Sequence, residues 1–93
     1  KAITSYKEAI RIKPDRAISH YSLGVAYEKL GQHKGAIASY KEAIRIKPDY
    51  ANAYNNLGYA YDDLGQYQEA IASYKEAIRI KPDYAIEHYN LLL

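Results

Sequence analysis

The chain has 93 residues and a formal net charge of +2, from 13 basic and 11 acidic side chains. So small an imbalance does not favour nucleic acid or an anionic membrane surface as the partner. Cysteine is absent, which excludes disulfides, thiolate nucleophiles and zinc–thiolate sites, and no signal peptide or membrane-spanning apolar run is found. The compartment stays open, with a slight preference for the cytoplasm.

Residues 1–16 predict one outer helix of a partial repeat. Ala2, Tyr6 and Ala9 fall on one face of this helix at helical spacing. Pro14 lacks the N–H that a helix interior needs, so the helix ends before it. Asp15 follows, and its short acceptor side chain predicts an N-cap for the next helix.

Residues 17–50 predict two antiparallel helices, at about 17–30 and 34–47. Gly24 lies in the middle of the first helix, where glycine costs about 1 kcal/mol relative to alanine. We therefore expect another helix to approach the backbone closely at this position. Gly31 ends the first helix as a candidate left-handed C-cap.

Residues 51–84 repeat this pattern, with helices at about 51–64 and 68–81 and with Gly58 and Gly65 at the equivalent positions. Residues 36–50 and 70–84 are identical, and the closing prolines stand 34 residues apart. A fixed period of this length predicts stacked helix pairs. Residues 85–93 start a further inner helix, so we expect both ends to cut through a repeat. The near-identical copies leave two origins open, recent duplication or engineering.

Two segments carry the same pattern of small, aromatic and proline residues, and this pattern resembles the tetratricopeptide repeat (TPR) over the whole chain. The resemblance implies an all-α, right-handed superhelical solenoid and a non-enzymatic protein-interaction role. It also implies that the first helix of each pair lines a concave groove and the second forms the convex back. The matching residues are His20, Leu23, Gly24, Tyr27, Ala36, Tyr40, Ala43 and Pro48, then Tyr54, Leu57, Gly58, Tyr61, Ala70, Tyr74, Ala77 and Pro82.

The predicted groove is rich in amide and tyrosine side chains. Amides can pair with the backbone of an extended peptide, and tyrosines can cover its side chains. Asn56 and Asn90, one period apart, resemble the asparagine ladder in the TPR region of O-linked N-acetylglucosamine transferase. The alternative is that asparagine is merely tolerated on a solvated helix face. The predicted groove residues are Tyr21, Val25, Asn52, Asn55, Asn56, Tyr59, Asp62, Asp63, Tyr89 and Asn90.

Other sites find less support in the sequence. A carboxylate clamp of the chaperone-binding TPR type is rejected, because only Asn56 matches it and the cations are missing. His20 and His88 lie too far apart for one metal ion and His33 is expected in a turn, so no metal or cofactor is predicted. Asp62 and Asp63, near a helix C-terminus, could attract a basic peptide or a divalent ion, or simply be solvated. No catalytic constellation is present, which predicts that the chain is not an enzyme.

Basic side chains recur along the predicted convex back, where each arginine follows a glutamate by three residues. This spacing favours a solvated, salt-bridged face over a phosphate-binding stripe.

The open ends suggest a second function of a different class, namely end-to-end self-assembly into a homo-oligomer. The alternative is that the ends fray in solution. The residues predicted to associate are Ala2, Tyr6, Ala9, Leu91, Leu92 and Leu93.

Overall fold

Five α-helices follow one another in residues 2–83, which are the residues that the computed structural model describes, and these residues form no strand. The predicted all-α class is confirmed, and the helix bounds agree with the predicted ones to within about a residue for α2 to α5. The predicted helix start in residues 85–93 lies outside the described residues. The helices are α1 (Ala2–Ile12), α2 (Ala17–Lys29), α3 (His33–Ile46), α4 (Ala51–Asp63) and α5 (Tyr67–Ile80).

The helices pack as two pairs. Helix α2 packs on α3 to form the first pair, and α4 packs on α5 to form the second pair. The pairs join through α3 and α4, with a smaller contact between α2 and α4, and α1 packs on α2. We call α2 and α4 the inner helices and α1, α3 and α5 the outer helices. This sequential stacking gives an elongated body of 40 × 24 × 18 Å.

Each inner helix has a mid-helix glycine because the ring of an outer-helix tyrosine lies directly over it. A Cβ atom built on Gly24 would stand 2.5 Å from Cε1 of Tyr40, and one built on Gly58 would stand 2.5 Å from Cε1 of Tyr74. Tyr40 and Tyr74 are only 1% and 3% exposed. The predicted close approach is therefore confirmed, with a tyrosine ring as the group that fills the space.

Both inner helices end in the same turn, which uses a glycine with positive φ. Gly31 has φ of 72° and Gly65 has φ of 75°, a region that costs other L-residues energy. After α2, the Gly31 N–H donates to the Glu28 carbonyl and the Gln32 N–H donates to the Tyr27 carbonyl, both at 2.9 Å. This pair of bonds is a Schellman motif, and it confirms the predicted C-cap.

The predicted N-cap at Asp15 is wrong. The residue at the N-cap of α2 is Arg16, and no side chain makes a capping hydrogen bond there. Asp15 lies one residue too early, so its carboxylate precedes the position from which a cap reaches the first free amides. The first turn of α2 is closed by a backbone hydrogen bond instead, in which the Ser19 N–H donates to the Arg16 carbonyl at 3.1 Å.

The core runs along the stack, because aromatic rings and small residues from successive helices meet there. Among the described helices, α4 has the most buried residues, and it packs against α2, α3 and α5. Within residues 2–83, no helix has the length and apolar character needed to cross a bilayer. The main buried cluster consists of Ala36, Tyr40, Leu57, Tyr61, Ala70 and Tyr74.

Candidate functional site

One stripe of α4 carries most of the predicted groove residues. Asn52, Asn56, Tyr59 and Asp63 follow one another at steps of four, three and four residues, which places them on one face of the helix. Asn52 and Asp63 are exposed, whereas Asn56 and Tyr59 are half-buried. We call these four residues the α4 stripe. It offers two amides, a phenol and a carboxylate along the length of one helix.

The α4 stripe is tied to the preceding inner helix by a side-chain hydrogen bond. The Asn56 amide donates from Nδ2 to Oη of Tyr21 at 3.0 Å. The Tyr21 ring also lies 5.1 Å from the ring of Tyr50 and 5.8 Å from that of Tyr40, measured between centroids. Burial raises the pKa of the Tyr21 hydroxyl, and the hydrogen bond with Asn56 opposes this rise. Tyr21 is thus a packing residue as well as a predicted groove residue.

Asn55 departs from its predicted place. Sequence spacing puts it on the exposed groove face, but it is 6% exposed and its side-chain oxygen Oδ1 has no hydrogen-bond partner. The reason is that α4 packs between α3 and α5, which buries more of its circumference than one apolar face. Asn55 therefore belongs to the packed interior and is corrected from an exposed site residue to a buried one.

Two further groove predictions fall on residues that support the second pair. The Tyr59 ring meets the Tyr74 ring edge to face, with centroids 5.6 Å apart. The Tyr74 hydroxyl donates to Oδ2 of Asp62 at 3.1 Å. Burial raises the pKa of Tyr74, and the charge of Asp62 and this hydrogen bond raise it further. Substitutions at Tyr59 or Asp62 will therefore change packing as well as the surface.

Val25 lines a cleft between α1 and α2 together with residues predicted to self-associate. The cleft has a volume of about 550 Å³. Tyr6 of α1 is only half-buried there, although it stands where Tyr40 and Tyr74 stand in the later outer helices. Ala9 is exposed on α1 and does not line the cleft. The lining residues are Ala2, Ile3, Tyr6, Tyr21, Ser22, Val25, Ala26, Lys29 and Leu30.

The remaining predicted site residues lie outside the described part of the chain. These are the groove residues Tyr89 and Asn90 and the self-association residues Leu91, Leu92 and Leu93. The second rung of the predicted asparagine ladder is among them.

The outer helices carry the predicted ion pairs three residues apart. Arg45 Nε donates to Glu42 at 2.9 Å and Arg79 Nε donates to Glu76 at 2.7 Å, and Arg11 pairs with Glu8 in the same way. The arginine hydrogen bond lowers the pKa of each glutamate. These arginines are engaged by carboxylates, which supports a solvated face in preference to a phosphate-binding stripe.

Sequence reasoning missed one cluster of titratable side chains. His33 Nδ1 lies 3.2 Å from Oε2 of Glu28 and 3.7 Å from Oδ2 of Asp63. His33 is the first residue of α3, so it is held at a helix end. The five-residue spacing of Glu28 and His33 across a tight turn was a visible signal, whereas the approach of Asp63 depends on how the pairs stack.

Similarity to known proteins agrees with this architecture. A family profile described as "TPR repeat" matches residues 1–31 and 29–65, and one described as "Tetratricopeptide repeat" matches residues 51–84. A crystal structure of MamA is 34% identical with a TM-score of 0.84, and the match covers 89% of this chain and 48% of that one. A second structure, of MamA protein, is 34% identical with a TM-score of 0.82, and the match covers 90% and 46%.

The chain spans about half the length of these MamA structures. A third MamA structure, titled MSR-1 C2, is 26% identical with a TM-score of 0.83, and the match covers 90% of this chain and 48% of that one. No curated protein sequence matches the chain.

Proposed function

The chain belongs to the tetratricopeptide repeat family, and we propose that its inner helices form a groove that binds an extended peptide. Proteins of this family are typically non-enzymatic protein-interaction scaffolds. The observation that supports the proposal most directly is the Asn56–Tyr21 hydrogen bond, which connects α2 and α4 through two of the predicted groove residues. A peptide lying across the two helices would meet amide, phenol and carboxylate groups in succession.

The chemistry of the α4 stripe indicates the kind of peptide. Asn52 is exposed and its amide offers both a donor and an acceptor, which suits the alternating N–H and C=O groups of an extended backbone. Asp63 adds an exposed carboxylate at the C-terminal end of the helix. Helix C-termini carry partial negative charge, so this end favours basic groups on the ligand. We therefore expect an extended peptide with at least one lysine or arginine.

A peptide-library pull-down tests the groove. The chain is compared with Asn52→Ala, which removes an exposed amide, and with Tyr59→Leu, which removes the phenol while keeping part of the apolar packing. Lys75→Ala on the outer helix α5 is the matched control, because Lys75 is exposed on a different helix. We expect at least a tenfold weaker affinity for selected peptides in the two stripe variants and an unchanged affinity in the control. Equal binding by all four proteins would exclude the groove.

We also propose end-to-end self-assembly as a second function, because the cleft beside α1 is open. In both described pairs an outer-helix tyrosine is covered by an inner helix, but among residues 2–83 no helix covers Tyr6 on its cleft side. The cleft thus lies at the position where a preceding inner helix would pack against α1 and α2. We propose that residues 84–93 of a second copy occupy it, in line with the predicted association of Leu91, Leu92 and Leu93.

Sedimentation analysis over a range of concentrations tests the assembly. We expect the mean mass to rise above the 10.6 kDa of one chain as the concentration increases. Val25→Lys places a charge in the cleft and should keep the chain monomeric, whereas Lys75→Ala should assemble like the parent chain. A parent chain that stays monomeric at every concentration would exclude assembly through the cleft.

A further inference from the structure

Three helix ends bring a histidine and two carboxylates together on the edge of the stack. Glu28 lies in the last turn of α2, His33 is the first residue of α3, and Asp63 is the last residue of α4. One oxygen or nitrogen from each of them lies within 4.8 Å of the other two. The cluster therefore bridges the first pair and the second pair at their adjoining ends.

The spacing of these three atoms is close to that of a metal coordination shell. Zinc holds nitrogen and oxygen donors at about 2.0–2.2 Å in a tetrahedron, which sets neighbouring donors about 3.3–3.6 Å apart. His33 Nδ1 lies 3.2 Å from the Glu28 oxygen and 3.7 Å from the Asp63 oxygen. An ion could thus be held after shifts of a fraction of an ångström at His33, and the two carboxylate oxygens lie within 4.8 Å of each other.

Charge at this edge also favours a cation. Helices α1, α2, α3 and α5 each have a basic residue in the last turn, whereas α4 has none there and ends in Asp62 and Asp63. Negative side chains at a helix C-terminus are disfavoured by the helix dipole. Asp62 is used by the hydroxyl of Tyr74, but Asp63 turns towards His33 and Glu28. A bound cation would relieve this concentration of negative charge.

Glu28 is the most enclosed of the three ligands. Its side chain is 18% exposed, against 55% for Asp63. Burial raises the pKa of Glu28, the hydrogen bond with His33 opposes this rise, and the charge of Asp63 adds to it. The two carboxylates thus lie close enough for the charge of one to disfavour the ionised form of the other, and a divalent ion held between them would offset this repulsion.

We propose that Glu28, His33 and Asp63 form a binding site for a divalent first-row transition-metal ion such as zinc. One imidazole nitrogen and two carboxylate oxygens are ligands that such ions accept, and water would complete the shell. An ionised carboxylate can only accept a hydrogen bond, so Nδ1 of His33 carries a hydrogen when it bonds Glu28. A metal ion would take the place of that hydrogen on Nδ1, and the coordinating imidazole would then carry its hydrogen on Nε2.

The site occurs once in the described residues because the sequence of the second turn differs. Asp62 and Tyr67 stand one period after Glu28 and His33, so the second turn offers a phenol in place of the imidazole. We therefore expect one ion per chain. Because its ligands come from α2, α3 and α4, this ion would fix the angle between the two helix pairs. This structural role is separate from peptide binding in the groove.

Isothermal titration of the untagged chain with zinc chloride tests the site. The comparison uses His33→Gln and Asp63→Asn, with His20→Gln as the matched control, since the His20 ring contacts the Pro14 carbonyl away from the cluster. We expect one zinc ion per parent chain and at least tenfold weaker binding in the first two variants. The His20→Gln variant should bind zinc like the parent. Zinc should raise the melting temperature of the parent and of His20→Gln, but not that of His33→Gln or Asp63→Asn.

Cobalt gives an independent readout, because its visible absorption changes when protein ligands replace water. The parent chain should show this change and the His33→Gln chain should not. If His33→Gln fails to fold by circular dichroism, Asp63→Asn decides alone, because Asp63 is more than half exposed. The proposal is overturned if the parent chain binds no zinc, which would leave a hydrogen-bonded ion pair only. It is also overturned if the His33 variant binds like the parent or if the His20 variant loses binding equally.

Discussion

The side-chain amide of Asn56 donates a hydrogen bond to the hydroxyl of Tyr21, and this 3.0 Å contact links the inner helices of neighbouring pairs. The residue that most resembles a ladder asparagine is thus also a stacking residue. A substitution at Asn56 will weaken the stack as well as the surface. For this reason Asn52, which is exposed, is a better probe of peptide binding.

Removing the Asn56 amide should destabilise the chain. We expect Asn56→Ala to lower the free energy of unfolding by about 1 kcal/mol, because a half-buried hydrogen bond is lost. Urea denaturation measures this change, with Asn52→Ala as a control that should have little effect. A double-mutant cycle with Tyr21→Phe should give a coupling energy of about 0.5–1.5 kcal/mol. Strictly additive losses would contradict the inferred pairing.

Adding a methyl group to the mid-helix glycines should be harmful, although alanine is the better helix former. In Gly58→Ala the new Cβ would lie 2.5 Å from a Tyr74 ring that is itself buried, so the ring cannot move aside without cost. We expect a loss of about 1–3 kcal/mol from overpacking.

The loss in Gly58→Ala corresponds to a fall in melting temperature of about 4–8 °C per kcal/mol. Gly24→Ala has the same geometry against Tyr40 and should lose a similar amount. A melting temperature at or above that of the parent in either variant would show that the tyrosine ring does not lie over the glycine.

Replacing the glycine of a C-cap tests the backbone alone. Gly65 has φ of 75° and a Cβ built on it would meet no atom within 4 Å. We expect Gly65→Ala to cost about 1–2 kcal/mol, because the left-handed region is strained for L-residues. Gly65→Asn should cost less, since asparagine tolerates this conformation better. Chemical denaturation gives the free energy of unfolding of both variants. If the two lose equal stability, the cause is a side-chain contact and not backbone strain.

High pH should destabilise the fold through its buried tyrosines. Burial raises the pKa of both Tyr40 and Tyr74 above the ordinary value of 10.0. Because the folded-state pKa is raised, the stabilisation is fully present below about pH 10 and is lost as the pH rises above it. We expect the denaturation midpoint to fall steeply above pH 10.

The tyrosine effect can be separated by substitution. Tyr74→Phe should lower stability at neutral pH, since it removes the hydrogen bond to Asp62, and should make the alkaline fall shallower. Tyrosinate absorbance, followed together with circular dichroism, should show these tyrosines ionising with unfolding. If the absorbance showed every tyrosine ionising near pH 10 while circular dichroism showed a folded chain, the burial of Tyr40 and Tyr74 would be contradicted.

The sequence predicts the fold well because local and global signals agree in each repeat. Gly24, Gly31 and Pro14 all mark positions where only a few residue types fit, so their roles can be deduced without coordinates. Asp15 shows the limit of this reasoning, because a shift of one residue in the helix start removes its capping role.

The site was harder to predict because it depends on how pairs stack. Asn55 is buried because α4 packs between α3 and α5, and no periodicity along α4 reveals this. The approach of Asp63 to His33 likewise depends on the angle between the pairs, which sequence spacing does not give. Residues facing across the stack are therefore the ones for which the coordinates were needed.

The seating of each tyrosine over a glycine has a consequence for how the chain folds. Helices α3 and α5 share their sequence from Ala36 and Ala70 onwards, so Tyr74 could settle over Gly24 as well as Tyr40 does. The length of the connection is what favours pairing α2 with α3 over pairing it with α5, since residues 30–32 link α2 to α3 directly. Pairing α2 with α5 would close a loop about ten times longer, which costs roughly 2 kcal/mol more in chain entropy. At high concentration the shared sequence would also allow two chains to exchange outer helices. The short turn between α2 and α3 therefore disfavours both mispairing within a chain and helix swapping between chains.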